Sequence, residues 1–331
     1  MNFDPFSPEI WDRLVWPMLR LLMGLAAGLL VANLLECLKW TRGLCRLSLP
    51  LARAAHLSET SGAAFALAFV SPASANALLS QKHAQGELSF RELMLSNLFN
   101  SLPAYFTHTP TIFLLTWPVL GRPAVVYVGL TLLAALGRTA ATVMLARRLL
   151  PAPSEAAPGA NASKRTPAAQ APPQKSASWR EAARKAWLRF MKRLPRLVLF
   201  TVPVYVLMYA VQVTGGFDAA KSWLAAHMAW LSIMPPQAMG IVALHLAAEL
   251  GAALGAAGSL LATGGLSPQE VVLALLVGNI LSTPMRAVRH QLPAYAAFFA
   301  PALGLKLIIA NQGLRAASMS VVALLYWLAV R

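Results

Sequence analysis

Charged residues are scarce in this chain, and acidic ones are the scarcest. Asp and Glu number 12 against 28 Lys and Arg, and charged residues together make up 12% of the sequence. The two cysteines, Cys37 and Cys45, are too few for a disulfide framework and form no metal motif by themselves. The sequence also lacks a Ser/His/Asp arrangement and a metalloprotease motif. We therefore expect no enzyme activity, no cofactor and no bound metal.

Apolar residues, in contrast, make up 57% of the chain, and the mean hydropathy is +0.58. Several apolar runs approach the roughly 20 residues that a helix needs to cross a bilayer. This composition predicts an all-α fold, specifically a polytopic transmembrane helical bundle. The runs are Leu14–Leu38, Ala124–Leu145, Leu197–Val213 and Ala316–Val330.

The net charge of +16 could suggest nucleic-acid binding, but the placement of the cations indicates a membrane protein. The stretch Arg147–Arg196 holds 12 of the 28 Lys and Arg, and short basic segments between spans are normally retained in the cytoplasm. The first residues carry Asp4, Glu9 and Asp12 rather than a basic leader, so the first span is expected to stay. We predict the cell inner membrane, with the N-terminus outside and no nucleic-acid partner.

Composition divides the chain into four parts. Residues 1–150 form a first transmembrane repeat, and residues 195–331 form a second. Between them, residues 151–178 are rich in Pro, Ala, Ser and Gln, which predicts a disordered cytoplasmic linker. Residues 179–194 have helical periodicity, with Trp179 and Trp187 on one face and cations mostly elsewhere. Such a basic amphipathic helix suits a membrane surface with anionic headgroups.

The two repeats share sequence patterns. Glu59 and Glu249 each open a run of Gly-Ala-Ala after one intervening residue or two, and Asn97–Pro103 is echoed by Asn279–Pro284. Basic residues place the loop after the first span and the linker in the cytoplasm, so the first half crosses an odd number of times. Lys306 and Arg315 flank a predicted loop on the same side. These features predict two inverted repeats with broken or re-entrant helices.

Helix breaks carry the candidate solute contacts. Pro72 removes a backbone donor and disfavours helix at Ser71, and irregular backbone at membrane depth is tolerated where it lines protein or a cavity. The second half has the glycine-rich stretch 255–259 at the corresponding place, without the proline; tight packing of small residues is the alternative for both. The predicted solute contacts of the first half are Ser71, Ser74, Asn76, Asn97, Asn100 and Ser101.

Ionisable residues are energetically costly within a membrane, so those that occur there usually have a function or a partner. His56 with Glu59, and His245 with Glu249, are spaced to share a helix face, which suits a metal site, a proton relay or simple solvated placement at the boundary. Two further glutamates, Glu92 and Glu270, follow Ser89 and Ser267 by three residues. That spacing fits either a capping box or ion coupling.

The first half resembles the Gate, or nucleoside-recognition, domain family of prokaryotic polytopic membrane proteins. The motifs that carry the resemblance are Ser71–Asn76, Leu95–Pro103 and Gly129–Thr139, and the second half is similar to a more diverged copy, most clearly over Pro284–Tyr295. The family includes nucleoside symporters and ferrous-iron permeases, so the resemblance implies a transport fold without fixing a substrate. The chain lacks the phosphate-binding Gly-rich Lys-Ser/Thr motif, and its cysteines lie outside the breaks, which disfavours iron.

These observations predict a secondary transporter for a small polar solute, with an anion among the options. Arg138 or Arg286 would balance the charge of the solute, and Glu59, Glu92, Glu249 or Glu270 would couple its movement to protons or sodium. Homo-oligomerisation is left open. The alternative function is a non-transporting membrane scaffold or accessory subunit, with the linker and the basic helix as docking elements.

Overall fold

The computed structural model describes residues 10–37, 48–151, 179–214 and 234–331, except residue 297. Every regular element in these ranges is helical, and no strand occurs there, so the predicted all-α fold is confirmed. The predicted linker, 151–178, lies outside the described residues apart from Pro151, as do Cys45 and most of the predicted segment Phe217–Met234.

The first half contains seven described helices, preceded by a π-helical turn over Trp11–Val15. They are α1 (Trp16–Cys37), α2 (Ser48–Ala54), α3 (Glu59–Ala68), α4 (Pro72–Ala84), α5 (Phe90–Phe99), α6 (Ser101–Leu120) and α7 (Pro123–Leu149).

Six more described helices follow, and a second π-helical turn, Ala287–Gln291, lies among them. They are α8 (Trp179–Val213), α9 (Pro236–Ala262), α10 (Pro268–Leu281), α11 (Thr283–Arg286), α12 (Leu292–Ala296) and α13 (Pro301–Val330).

The break predicted at Ser71 and Pro72 is present. Helix α3 ends at Ala68 and α4 begins at Pro72, while Ser71 is extended with φ −153° and ψ 98°. Proline at the first helical position costs no hydrogen bond, because that amide has no intrahelical acceptor. The Ser71 hydroxyl accepts a bond from the Ser74 amide at 3.2 Å, which caps α4. The two short helices pack against each other as a helical hairpin.

The glycine-rich stretch 255–259, in contrast, is not a break. It lies inside the continuous helix α9, and its glycines allow close packing instead. A Cβ on Gly255 would lie 3.3 Å from the Thr201 carbonyl of α8, and one on Gly258 would lie 3.3 Å from Leu21 of α1. Small side chains thus bring α1, α8 and α9 together.

The structural repeat is clearer than the matching letters suggest. Four features of the first repeat recur in the second, and each recurs the same number of residues further along the chain. They are a left-handed glycine turn (Gly86 and Gly264), a serine cap (Ser89 and Ser267), a glutamate in the first turn (Glu92 and Glu270) and a proline that opens the last helix (Pro123 and Pro301). Glu59 and Glu249 do not fit this interval, since Glu59 opens α3 whereas Glu249 lies within α9. Their letter match is not a structural equivalence.

The repeats pack reciprocally around their last helices, which we call the exit helices α7 and α13. These two helices pack against each other, and each also contacts the short helix of the other repeat: α7 contacts α10, and α13 contacts α5. A pair of matching contacts made in both directions is what a two-fold relation between similar units produces. A large buried cluster, which includes Tyr127, Leu275 and Val322, fills this junction.

Helices α7 and α13 are also the two described helices long and apolar enough to cross a membrane. The predicted loop flanked by Lys306 and Arg315 does not exist, because both residues lie within the continuous α13. The helix continues because it has no proline after Pro301, and because the buried Asn311 amide finds a partner in the Asn97 carbonyl. This loop therefore no longer supports the inverted orientation.

The basic segment 179–194 does form a helix, but it is continuous with the following apolar run as α8, despite Pro195 and Pro203. Its buried face carries Ala182, Ala186 and Phe190, while Trp179 and Trp187 are 63% and 52% exposed.

The junction of α9 and α10 gives a test of this packing. A Cβ on Gly278 would lie 2.8 Å from the His245 Cβ, an atom held by the α9 backbone. We expect Gly278→Ala to destabilise the protein by roughly 1–3 kcal/mol, measured by thermal unfolding in detergent, because the helices must separate. Gly313→Ala is the matched control. It meets no atom within 4 Å, so it should be neutral or stabilising. Equal effects of the two variants would contradict the described contact.

Candidate functional site

Asn97, near the end of α5, joins the two repeats. Its Nδ2 donates to Asn76 Oδ1 of α4 at 3.3 Å, and its Oδ1 accepts from the Tyr295 hydroxyl of α12 at 3.0 Å. Its backbone carbonyl accepts from Asn311 Nδ2 of the exit helix α13 at 3.4 Å. The side chain is 1% exposed, so these bonds replace water that it cannot reach.

Asn279, near the end of α10, is the counterpart in the second repeat. Its Nδ2 donates to the hydroxyl of Tyr127, on the exit helix α7, at 3.2 Å. Its Oδ1 accepts from Arg315 at 2.5 Å and from Arg286 at 3.3 Å. Each asparagine therefore bonds to the exit helix of the other repeat, as the reciprocal packing requires. We call these two groups the Asn97 network and the Asn279 network.

Arg138 lies on α7 and is 6% exposed. Its Nε donates to the Ser101 hydroxyl at 3.1 Å, which ties the exit helix to the first residue of α6. In the second repeat Arg286 donates to the Ser282 hydroxyl at 2.9 Å, also where a short helix ends. Both helix breaks that follow the asparagines are thus held by a guanidinium.

Several buried polar atoms of this region have no hydrogen-bond partner in the described part of the protein. They include both amide atoms of Asn100, the Ser96 hydroxyl and Gln312 Oε1. Their residues are between 1% and 9% exposed. Because the large majority of buried side-chain polar atoms are bonded, and because these residues flank Asn97 and Asn311 along the chain, they mark a place suited to a polar ligand or to water.

The structure separates the predicted solute contacts into groups. Asn76 and Asn97 are bonded to each other, and Ser101 is bonded to Arg138, one residue from Asn100. Ser71 and Ser74 instead bond to each other at 2.8 Å at the start of α4. No hydrogen bond joins these two serines to either network within the described residues.

Glu92 and Glu270 each lie in the first turn of a helix. Glu270 completes a capping box, accepting from the Ser267 amide at 2.7 Å while its own amide donates to the Ser267 hydroxyl at 3.3 Å. Glu92 does not close its box; its Oε1 accepts from the Ser58 amide at 3.1 Å and the Ser61 hydroxyl at 2.7 Å, which joins α5 to α3. The capping role suggested by the spacing is realised at Glu270. Ion coupling by either glutamate stays a prediction.

Glu59 is exposed in the first turn of α3, and the side chain of Glu249 lies outside the described part of the structure. The two histidines differ as well: His56 adopts φ 54° before α3, whereas His245 is 4% exposed against Gly278. Within the described residues no three His, Cys, Asp or Glu side chains gather as metal ligands.

Sequence reasoning missed four residues of these networks. Arg315 was predicted only to flank a loop, and Tyr127, Tyr295 and Asn311 were not among the predicted site residues. Tyr295 could have been found, because it ends the second of two Leu-Pro-Ala-Tyr motifs. The other three carry no local signal, since their partners are more than 30 residues away along the chain.

Comparison with known proteins identifies a relative without naming a function. The chain is 27% identical over 269 residues to Uncharacterized protein MJ0871 of Methanocaldococcus jannaschii, a match that covers 80% of this chain and 79% of the relative. No protein-family model matches the chain. No solved structure matches it either. The resemblance to the Gate family therefore stays a prediction.

The cross-repeat bond of the Asn97 network can be measured with a double-mutant cycle. We expect Asn97→Ala and Tyr295→Phe each to destabilise the protein, and their combination to cost less than the sum by about 0.5–1.5 kcal/mol, because one hydrogen bond is lost only once. Thermal unfolding in detergent gives the four values. Tyr326→Phe, whose hydroxyl has no described partner, is the control and should add to Asn97→Ala. Additivity with Tyr295→Phe would exclude the bond.

Proposed function

We propose that this protein is a multi-pass inner-membrane transporter that moves a small polar solute between its two repeats by ion-coupled alternating access. The observation that carries the proposal is the reciprocal bonding of Asn97 and Asn279 to the opposite repeat's exit helix. Similar halves that meet around polar, interrupted helices are the arrangement in which transporters bind substrate.

Residence in a membrane is supported by the surfaces of the exit helices. Besides being long enough to span, α13 exposes large aliphatic side chains along its length, including Ile309, Val321, Leu325 and Leu328. Exposed aliphatic rows are unfavourable in water but match lipid tails. Helix α7 exposes Val125, Leu133 and Met144 in the same way.

The interior suits a polar solute. Asn100 has two unbonded amide atoms, and it lies between the Asn97 network and the Ser101–Arg138 pair along the chain. A solute bonded there would replace protein hydrogen bonds that now join the repeats, such as Tyr295 to Asn97. Exchange of protein bonds for solute bonds gives the solute a differential affinity for two conformations, which alternating access needs.

The start of α8 suits a cytoplasmic membrane surface. Arg180, Arg184 and Lys192 are exposed alongside Trp187 and Leu188, and lipid headgroups favour this mixture. Glu181 is the acid among these cations. Its hydrogen bond from Lys185, 2.6 Å long, lowers the pKa of the Glu181 carboxyl below its ordinary value. That carboxyl is therefore ionised at neutral pH and leaves the face a net cation.

The test is uptake into proteoliposomes of a radiolabelled panel: nucleosides, dicarboxylates, amino acids and phosphate. We expect wild-type protein to accumulate at least one of these compounds when a proton or sodium gradient is applied. Asn100→Ala and Asn76→Ala should each reduce that uptake roughly tenfold or more, because each removes polar atoms from the interior site.

Gln85→Ala is the control for that assay, since Gln85 is exposed at the end of α4 and should leave uptake unchanged. Normal uptake by both asparagine variants would remove the site assignment. Absence of uptake for every compound under every gradient would favour the alternative, a non-transporting scaffold or accessory subunit.

A further inference from the structure

Two arginines bring positive charge into the junction of the repeats. Arg138 lies on α7 and Arg315 on α13, the two exit helices that pack against each other. Arg138 bonds to the Ser101 hydroxyl and Arg315 to the Asn279 amide oxygen. Both protein partners are neutral, so these bonds orient the guanidinium groups without neutralising them.

Neither arginine lies within ion-pair distance of a carboxylate in the described residues; the ion pairs Lys82–Glu87 and Lys185–Glu181 are at other sites. Arg138 is 6% exposed, and Arg315 is half-buried. An interior cation without a counter-charge is strongly unfavourable and marks a functional site by default. A bound anion would balance these two charges.

Two other arginines lie near Arg315. Arg286 and Arg315 both donate to the Asn279 oxygen, so their guanidinium groups are neighbours. Arg315 follows Asn311, which bonds to Asn97, by four residues, and the partner of Arg138 follows Asn97 by four, so both arginines lie at the same junction. Like charges in a low-dielectric interior repel one another over longer distances than in water. Their common field therefore favours a negative ligand placed between the two exit helices.

Hydrogen-bond donors remain available at this place. A guanidinium carries five N–H donors, and the described bonds of Arg138 and Arg315 use one nitrogen of each. Asn100, next to Ser101, has an unbonded amide nitrogen and is 9% exposed.

From this arrangement we infer that the solute is a small oxyanion, held by the guanidinium groups of Arg138 and Arg315 and by the Asn100 amide. The inference rests on the proposed function, because it names the substrate class of that site. Carboxylate and phosphate oxygens both match the fork of a guanidinium, and two forks on facing helices suit a compact anion. Binding would offset the repulsion between the exit helices and favour the closed junction.

Equilibrium binding tests the inference without requiring transport. Purified protein in detergent is titrated with L-malate and, separately, with inorganic phosphate, at ionic strength held constant with sodium chloride. We expect at least one of them to raise the Tm saturably, and the responding arm distinguishes carboxylate from phosphate chemistry. Arg138→Gln and Arg315→Gln should each weaken that binding tenfold or more, and Arg147→Gln, on the exposed end of α7, should not.

A second variant remains informative if those proteins fold poorly. Asn279→Asp places a carboxylate where the Asn279 amide now accepts from Arg315 at 2.5 Å. We expect this internal counter-ion to raise the Tm of the ligand-free protein and to weaken oxyanion binding tenfold or more. The Tyr127 hydroxyl can donate to the new carboxylate, so its bond survives.

The outcomes separate the two proposals. Failure of both malate and phosphate to produce a saturable shift, or equal weakening by Arg147→Gln, would overturn the oxyanion inference. Uptake of a neutral solute that neither anion affects would also overturn it while leaving transport standing. Arginine-dependent oxyanion binding by a protein that transports nothing would support the inference and overturn the proposed function.

Discussion

The structure depends on a requirement of buried amides: their donors and acceptors must be bonded wherever water is excluded. Asn97 and Asn279 each lie near the end of a short interior helix, and both bond across the junction. The Asn279 side chain donates to Tyr127 on the opposite exit helix. The Asn97 side chain accepts from Tyr295 of the second repeat, and its backbone carbonyl accepts from Asn311 on the opposite exit helix. A buried amide without a hydrogen-bond partner costs about 1–3 kcal/mol. Separating the repeats would break these bonds, and any amide that stayed buried would carry that cost. Each repeat therefore supplies hydrogen-bond partners for the buried asparagine of the other.

The repeats satisfy the same requirement with different backbones. In the first, the break comes early, at Ser71, and the later helix α6 runs unbroken for 20 residues. In the second, α9 is continuous, and the corresponding later segment is divided into α11, a π-helical turn and α12. Insertions of a π turn often occur at functional sites, because they rotate the side chains that follow. Here the turn precedes Tyr295, whose hydroxyl closes the Asn97 network.

Local signals in the sequence were sufficient for some of these features. Ser71-Pro72 predicts a break from the geometry of proline alone, and the spacing of Ser267 and Glu270 predicts a capping box. Letter matching failed where two stretches share composition but not position, as with Glu59 and Glu249. The loop predicted between Lys306 and Arg315 was wrong, because the polar residues Asn311 and Arg315 have buried partners in Asn97 and Asn279 that lie on other helices. The candidate site combines residues from distant segments, so Asn76, Asn97 and Arg286 were predicted as site residues, but the bonds between the repeats were not.

The two short helices that carry the asparagines differ in length. Helix α10 has 14 residues and α5 has 10, and Asn279 lies one helical turn further from its serine cap than Asn97 does. One turn is about 5.4 Å along a helix axis. The reciprocal contacts of the junction are therefore made by segments of unequal length. The two sides of the junction are not interchangeable, although their asparagines play matching parts.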